Sequence, residues 1–541
     1  MSFHKSSAVP TTQATIHILA SNALPSAIFS VTSSITAAQL NALIVSAPTG
    51  SAITLQDGTY HFDAAIVVNR GDISIQGQSQ AGTILDFNIA VGSQAPDFFQ
   101  VNGGAKTLLS TTTSAIAVGQ TSLTVADASA LHAGDAIYIS EPNTQAYLTA
   151  NGWTNVSMAD AANHPFREYI ATVDHVLGST VYLTSGIPYA MDPGVTQVSA
   201  INLLQNVNLS NFTVTNDFPI ANQYDFVNPL SAYDSQASIH ITGVSGGSLS
   251  NVSVLNAPSI GISLTSSIGF TGHDLSVNGA INKGGDGNGY GILLSEAFNN
   301  NFFALDLLNS RHAFIFSAWN AETGNTVQIN NTNRDVNFHG SPDVGNVITV
   351  NHAVLDYNPA QDTSGLVDIW PLVAHGGTNH AYTDIFNFNQ VTFHYAVGSS
   401  AVDVIYGTAG NDYLNGGAGG DTIFGGVGND YIVGGLGKDL MSGGTGQDTF
   451  LLKQGDNLDR ITDFTFGANG DTIIFAGNAA LHDVSGLVFT QNGADLYVRY
   501  GSNATVILSD HTLADVTAAN FQYDPTGAIT QAAYAGDFHL I

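Results

Sequence analysis

From Gly407 onward an aspartate recurs every nine residues: Asp412, Asp421, Asp430, Asp439 and Asp448. The units read GTAGNDYLN, GGAGGDTIF, GGVGNDYIV, GGLGKDLMS and GGTGQDTFL, in unbroken register to Leu451. A large apolar residue follows each aspartate by two positions: Leu414, Ile423, Ile432, Met441 and Phe450. A fixed period of this kind means stacked turns, each packing only on its neighbours. The glycine-rich half of a unit supplies tight turns, and the short half makes a strand whose apolar side chain enters a narrow core. Stacking brings carboxylates and turn carbonyls together, an all-oxygen cage suited to Ca2+. Without the ion the aligned carboxylates repel, so this segment is expected to fold as it binds metal.

Over Gly407 to Leu451 these units resemble the GGxGxDxUx nonapeptides of the RTX family, with Thr408 replacing the second glycine of the first unit and Lys438 beside Asp439. The stretch DNLDRITDFTFGANGDTIIF from Asp456 to Phe475 resembles the cap and secretion region that follows such repeats. The terminal Asp537, Phe538, His539, Leu540 and Ile541 resemble a type I secretion signal. The resemblance implies structural Ca2+ at the five repeat aspartates, a type I export apparatus as a partner, and a secreted protein. Met1 to Ala20 lacks the basic start and apolar run of a cleaved N-terminal signal.

Composition narrows the rest. Eleven Lys+Arg against 42 Asp+Glu give a formal net charge of −31, which excludes a phosphate-neutralising nucleic-acid surface and docking on anionic membranes. There is no Cys, so neither disulfides nor thiolate metal sites arise. The acid is nearly all Asp, with Glu only at Glu141, Glu168, Glu296 and Glu322. Asp, Asn and Gly favour turns over helix interiors.

The N-terminal 400 residues read as short strands broken by Asn, Gly and Ser, among them Ala52–Leu55, Ile73–Gln76, Asn206–Val214, Ser248–Leu255 and Gly261–Leu264. One short amphipathic helix is expected at Thr36–Val45. Ala52 to Phe87, with its GTY turn, IQGQ and TILDF, resembles the opening coils of the pectate-lyase-like right-handed parallel β-helix. Later strands align at coil-sized steps: SIHITGV from Ser238, SIGISLT from Ser259, GYGILLS from Gly289, RHAFIFS from Arg311 and DVNFHGS from Asp335, with steps of 21, 30, 22 and 24 residues. Between Ser110 and Ser199 the pattern changes to alternating strands with Gly-Asp turns, a small antiparallel barrel inserted in the solenoid. A loop within it carries Tyr147, Trp153, His164, Phe166 and Arg167. The expected fold is all-β: a right-handed parallel β-helix with an inserted small β-barrel, followed by a calcium-binding parallel β-roll. The layout is 1–50 lead-in and cap, 51–400 β-helix (110–199 insert), 405–455 roll, 456–541 cap and secretion region.

Basic residues are scarce enough to point to chemistry. Lys283, Arg311 and Arg334 fall in consecutive coils, whose strands lie about 5 Å apart, so they are expected to line one groove. Arg167 and the loop residue Asp286 join them as candidate substrate contacts. In Asp335-Val-Asn-Phe-His339 the alternation points Val336 and Phe338 inward and Asp335, Asn337 and His339 outward. The alignment sets Arg311 beside Asp335 and turns His312 inward; a one-residue slip exposes it. A cation for a carboxylate and a titratable base make Arg311, His339, Asp335, His312 and the phenol of Tyr290 candidates for proton abstraction, with Asn337 and Arg334 as binding groups. His375 and His380 are further candidates. Each of these residues also has a structural reading, as an ion-pair or packing group.

Several activities remain open. β-Elimination of an acidic, uronate-containing polysaccharide is favoured. Hydrolysis by paired carboxylates would draw on Asp286, Asp306, Asp335, Asp343 and Asp356. The order of β-helix then RTX resembles exported exopolysaccharide glycanases and secreted mannuronan C5-epimerases. Of the epimerase Tyr-Gly-Phe-Asp-Pro-His block only Tyr290 and Gly291 are present. A non-catalytic glycan-binding module is the remaining reading.

Overall fold

The structure is a computed structural model that describes residues 26–89, 95–150, 158, 164–220, 222–285, 287–317, 320–339, 343–356, 371–375 and 389–526. Asp286, Trp153, His380 and the terminal Asp537 to Ile541 lie outside the described residues, as does the side chain of His375.

The helix Ala37–Ser46 starts at Thr36, whose hydroxyl takes the Gln39 N–H while the Gln39 side chain returns to the Thr36 N–H, a reciprocal cap. Its buried Ala37, Leu40 and Ile44 close the first end of a long solenoid. The solenoid is built from two parallel sheets, of 17 and 10 strands. One continuous apolar core runs from Ala37 to Phe521.

The second sheet carries the groove described below. Its neighbours are, in order, Ile66–Val68, Phe99–Asn102, Ala237–Thr242, Ile260–Ile268, Tyr290–Phe298, His312–Phe316, Val336–Phe338 and Val373–His375. The observed partners are Ala237 with Ile260, Ile260 with Tyr290, Tyr290 with His312, and Phe314 with Val336. The middle two steps match the sequence alignment; the first and last differ from it by two residues. Arg311 therefore does not stand opposite Asp335. Because side chains alternate with period two, a shift of two preserves the face, and Val336 and Phe338 do point into the core.

At one corner of the coils Asn300, Asn325, Asn346 and Asn389 form a buried ladder, each passing its amide to the next at 2.9–3.0 Å. The same oxygens accept the backbone N–H groups of Asn300, Asn325 and Asn346. Main-chain donors that no sheet reaches are thus satisfied.

The insert is an antiparallel sheet in the order Ala105–Thr111, Gln197–Asn202, Ala136–Glu141, Arg167–Leu177, Thr180–Leu183, Ser122–Thr124. A bridge from Thr112 to Val125 joins its two edges and closes a barrel. Its core includes Phe298 and Ala321 of the solenoid, so the barrel packs directly on the coils.

The last solenoid strand, Gln390–Val397, pairs with Tyr413–Asn415 of the nonapeptides, and pairing continues through Tyr431–Val433, Thr449–Lys453 and Thr472–Ala476 to Phe521–Asp524. One sheet therefore crosses from β-helix to roll without a break.

Candidate functional site: a groove on the second sheet and an aspartate-lined roll

A groove of about 370 Å³ lies on the outer face of the second sheet. Hydroxyls and amides line it, with Tyr290, Ile260 and Leu293 forming an apolar wall. Among its described lining residues the single carboxylate is Asp97. Asp97 accepts the Ala237 N–H through Oδ1 (2.7 Å) and His240 Nδ1 through Oδ2 (2.7 Å). A carboxylate only accepts, so Nδ1 carries a proton, and Nε2 lies 3.3 Å from Thr265 Oγ1. The His240 side chain is 30% exposed and that of Asp97 19%.

Tyr290, His312, Asp335 and Asn337 do come together. Tyr290 lines the groove, and its ring centre is 5.7 Å from that of His312, its register partner on the next coil. His312 Nδ1 is 2.9 Å from Asp335 Oδ2, with both side chains only 1% exposed. The Asn337 amide approaches the same Asp335 oxygen at 3.3 Å. Asp335 and Asn337, expected on the exposed face, are buried. His339 is half-buried, its N–H bonded to Phe316 O, and it is not among the described lining residues of the groove. Arg311 is half-buried against Gly289, one residue before the register partner of Tyr290, and donates to Gly284 O at 3.1 Å.

The other expected cations lie elsewhere. Lys283 is buried with Nζ on Asn222 O (2.7 Å), and burial, then repulsion from Arg334, lowers its ammonium to about 8. Arg334 is buried and donates to carbonyls of Ser310, Asn333, Asp356 and Gln223. Burial also lowers its guanidinium from the usual range. Both pin the Asn222–Gln223 loop instead of facing the groove. Arg167 forms a buried pair with Glu141 at 2.6 Å and stacks over Tyr147. Of the five Asp considered for hydrolysis, the four described ones are spread apart: Asp306 is on the first sheet, Asp335 holds His312, Asp343 is buried near the barrel, and Asp356 accepts from Gln223 and Tyr224.

The sequence reading passed over three features. Asp97 and His240 are one; His240 was quoted within SIHITGV, and its outward position between Ile239 and Ile241 was the available signal. The second is a carboxyl cluster where the barrel meets the coils. Glu168, on the barrel, accepts from the Tyr138 hydroxyl and from Ala321 N (3.0 Å). Glu322 accepts from Glu296 N, and Asp343 from Glu322 N. Burial, then repulsion from Glu296, pushes Glu168 up to about 8; burial pushes Asp343 up to about 7 and Glu322 well up. Glu296 is held by Lys106 at 2.7 Å. The third is an extension of the aspartate rows.

In the roll, Oδ1 of each aspartate accepts the N–H of the aspartate one turn earlier: Asp403 to Asp421 to Asp439 to Asp459, and Asp412 to Asp430 to Asp448 to Asp471. Asp403 lies nine residues before Asp412, a spacing visible in the sequence. Oδ2 of Asp421, Asp430, Asp439, Asp448 and Asp459 is buried with no hydrogen-bond partner. Burial pushes Asp421 and Asp430 up to about 7. A Cβ at Gly425 would stand 2.3 Å from Asp430 Oδ2 and 2.5 Å from Gly443 O, so only glycine leaves that space. Orphaned carboxylate oxygens beside turn carbonyls fit a hard divalent cation. Among the described residues no three His, Asp or Glu side chains are gathered around one point, so carbonyls would complete each cage.

The fold and the roll define a parallel β-helix protein that ends in stacked nonapeptide turns. Residues 397–432, 416–450 and 424–458 match the RTX calcium-binding nonapeptide repeat (4 copies). No curated protein sequence matches the chain. Among solved structures it is similar to the tailspike protein gp49 of Pseudomonas phage LKA1, with TM-score 0.50, 13% identity, and coverage of 81% of this chain and 70% of that one. The gp54 tailspike of Acinetobacter baumannii bacteriophage AP22, solved with a capsular saccharide, aligns with TM-score 0.48 and 15% identity over 82% and 71%. A subunit of the Azotobacter vinelandii mannuronan C5-epimerase, AlgE6R3, aligns at 30% identity over 27% of this chain and 89% of its own, with TM-score 0.20.

Proposed function

We propose that this chain is a secreted, calcium-stabilised enzyme that cleaves an acidic polysaccharide by β-elimination in the groove of the second sheet. The observation that carries the reading is Tyr290: a phenol on the groove wall, backed by the buried His312–Asp335 pair. Elimination needs a base for the proton beside the uronate carboxylate and an acid for the departing glycosidic oxygen. Tyr290 takes the acid role, and His312, fixed by Asp335, packs behind its ring. Arg311, one residue before the register partner of Tyr290, is the cation for the uronate carboxylate. Among the described lining residues the single carboxylate is already committed to a histidine, which suits proton transfer better than hydrolysis by two facing carboxyls. Calcium at Asp412, Asp421, Asp430, Asp439 and Asp448 is structural in this reading, and the RTX segment supports type I export to the medium.

The test incubates the full chain with Ca2+ and alginate, polygalacturonate or glucuronan, following ultraviolet absorbance of unsaturated uronate and reducing ends in parallel. A rise in both is expected. Reducing ends alone would make the protein a hydrolase and overturn the reading; neither signal would overturn it in favour of an epimerase or a binding module.

A further inference from the structure

We infer that His240, oriented by Asp97, is the base of the groove, and that a uronate residue sits between His240 and Tyr290. The inference rests on the elimination reading above and names the group that reading leaves open.

The histidines differ in access. His312 is 1% exposed, and its Nδ1 faces Asp335. His240 is 30% exposed within the groove, with Nδ1–H committed to Asp97 and Nε2 toward the lining hydroxyl of Thr265. Asp97 is itself anchored by Ala237 N–H, so the imidazole is held in one tautomer and one orientation. A neutral imidazole with its acceptor nitrogen facing the groove is the form a base requires.

The spacing suits one sugar. His240 pairs in register with Ser263, and Ser263 with Leu293; Tyr290 lies three residues before Leu293. Two strand intervals and three residues put the two Cα atoms about 14 Å apart. Two side chains reaching inward leave room for a pyranose. The small Ser263 between them keeps that floor low.

The step balances without a co-reactant. His240 Nε2 takes the C5 proton, and the C–H electron pair becomes the C4=C5 double bond. The C4–O bond breaks, and the leaving oxygen takes the Tyr290 proton. Water returns the proton from imidazolium to phenolate. No water is consumed, and the products are an unsaturated uronate end and a new reducing end. Asp97 is a positioning residue.

The experiment compares wild type with His240→Ala, His240→Gln and Asp97→Asn on whichever of the three polysaccharides wild type cleaves, with glycan binding by calorimetry. Both His240 variants are expected to lose on the order of a thousandfold in kcat, with binding changed less than a few-fold. Asp97→Asn is expected to lower kcat at nearly constant KM and to displace the acid limb of the pH profile, which a purely structural role would not do. His240 is part-exposed, so folding is checked by melting, and His240→Gln keeps the ring's approximate volume. Wild-type cleavage with a His240 variant within tenfold of it would overturn this assignment and leave β-elimination standing. Absence of any unsaturated product from wild type would overturn β-elimination itself, and this assignment with it.

Discussion

The backbone N–H of Glu322 donates to Oδ1 of Asp343 at 2.9 Å, and both side chains are sealed from water where the inserted barrel meets the coils. Glu168 reaches the same seam from the barrel side through Ala321 N–H. Burial raises the pKa of all three carboxyls, so at mildly acid pH the barrel is seated largely by neutral acids beside the Lys106–Glu296 ion pair.

That seating makes stability depend on pH. The native carboxyls of Asp343 and Glu168 are raised to about 7 and about 8, against about 4 when unfolded. Their contribution is full below about pH 4 and is lost as pH rises through 7 to 8, because the unfolded chain releases protons the native chain keeps. Glu168→Gln, an uncharged acceptor of similar shape, is expected to flatten the fall in melting temperature between pH 5 and pH 9. Parallel curves for variant and wild type would refute the assignment.

Calcium removal is expected to act on both halves of the chain. Chelation should unfold the roll, where Oδ2 of Asp421, Asp430, Asp439 and Asp448 has no other partner, and should lower the melting temperature of the solenoid it adjoins. Asp430→Asn retains an acceptor for Asp412 N–H but removes charge. Weaker calcium binding by calorimetry is the expected outcome; unchanged affinity would show that Asp430 is not a ligand.

The asparagine ladder gives a separate handle on the coils. Asn325→Ala would strip partners from Asn300 N–H, the Asn300 amide and Ala297 O at once. A loss of about 2–4 kcal/mol in urea unfolding is expected. A loss below about 0.5 kcal/mol would mean that water replaces the ladder.

Arg334 tests the distinction between a groove cation and a loop clamp. Arg334→Ala would orphan four carbonyl contacts, at a cost of about 3–5 kcal/mol. Thermal melting should fall sharply while the salt dependence of glycan binding stays put. Loss of that salt dependence in a well-folded variant would return Arg334 to the groove.

Much of the architecture was legible because it is periodic. The nine-residue aspartates, the coil-length steps and the alternation in Val336 and Phe338 each reflect a repeating backbone geometry. Asp403 was equally legible and was missed only because its unit lacks the paired glycines. Exact register was not legible: a shift of two leaves every face unchanged, so no apolar residue protests. The site was harder still. Scarcity suggested that Lys283 and Arg334 face substrate, yet carbonyls from the Asn222–Gln223 loop hold them, and local sequence does not show where a loop folds back. The Asp97–His240 pair joins residues 143 apart, and Glu168 reaches Glu322 and Asp343, neighbours on adjacent coils, only because a barrel is inserted in the chain.

The unbroken sheet from Gln390–Val397 into Tyr413–Asn415 ties completion of the solenoid to the roll. A solenoid without its last rung presents a raw strand edge to any neighbour. Here the rung is supplied by turns whose carboxylates wait for a divalent ion. Without the ion the chain therefore stays unfinished at that end, and a divalent cation acts as the clasp that completes it. Completion of the solenoid is thereby timed by the ion the chain meets.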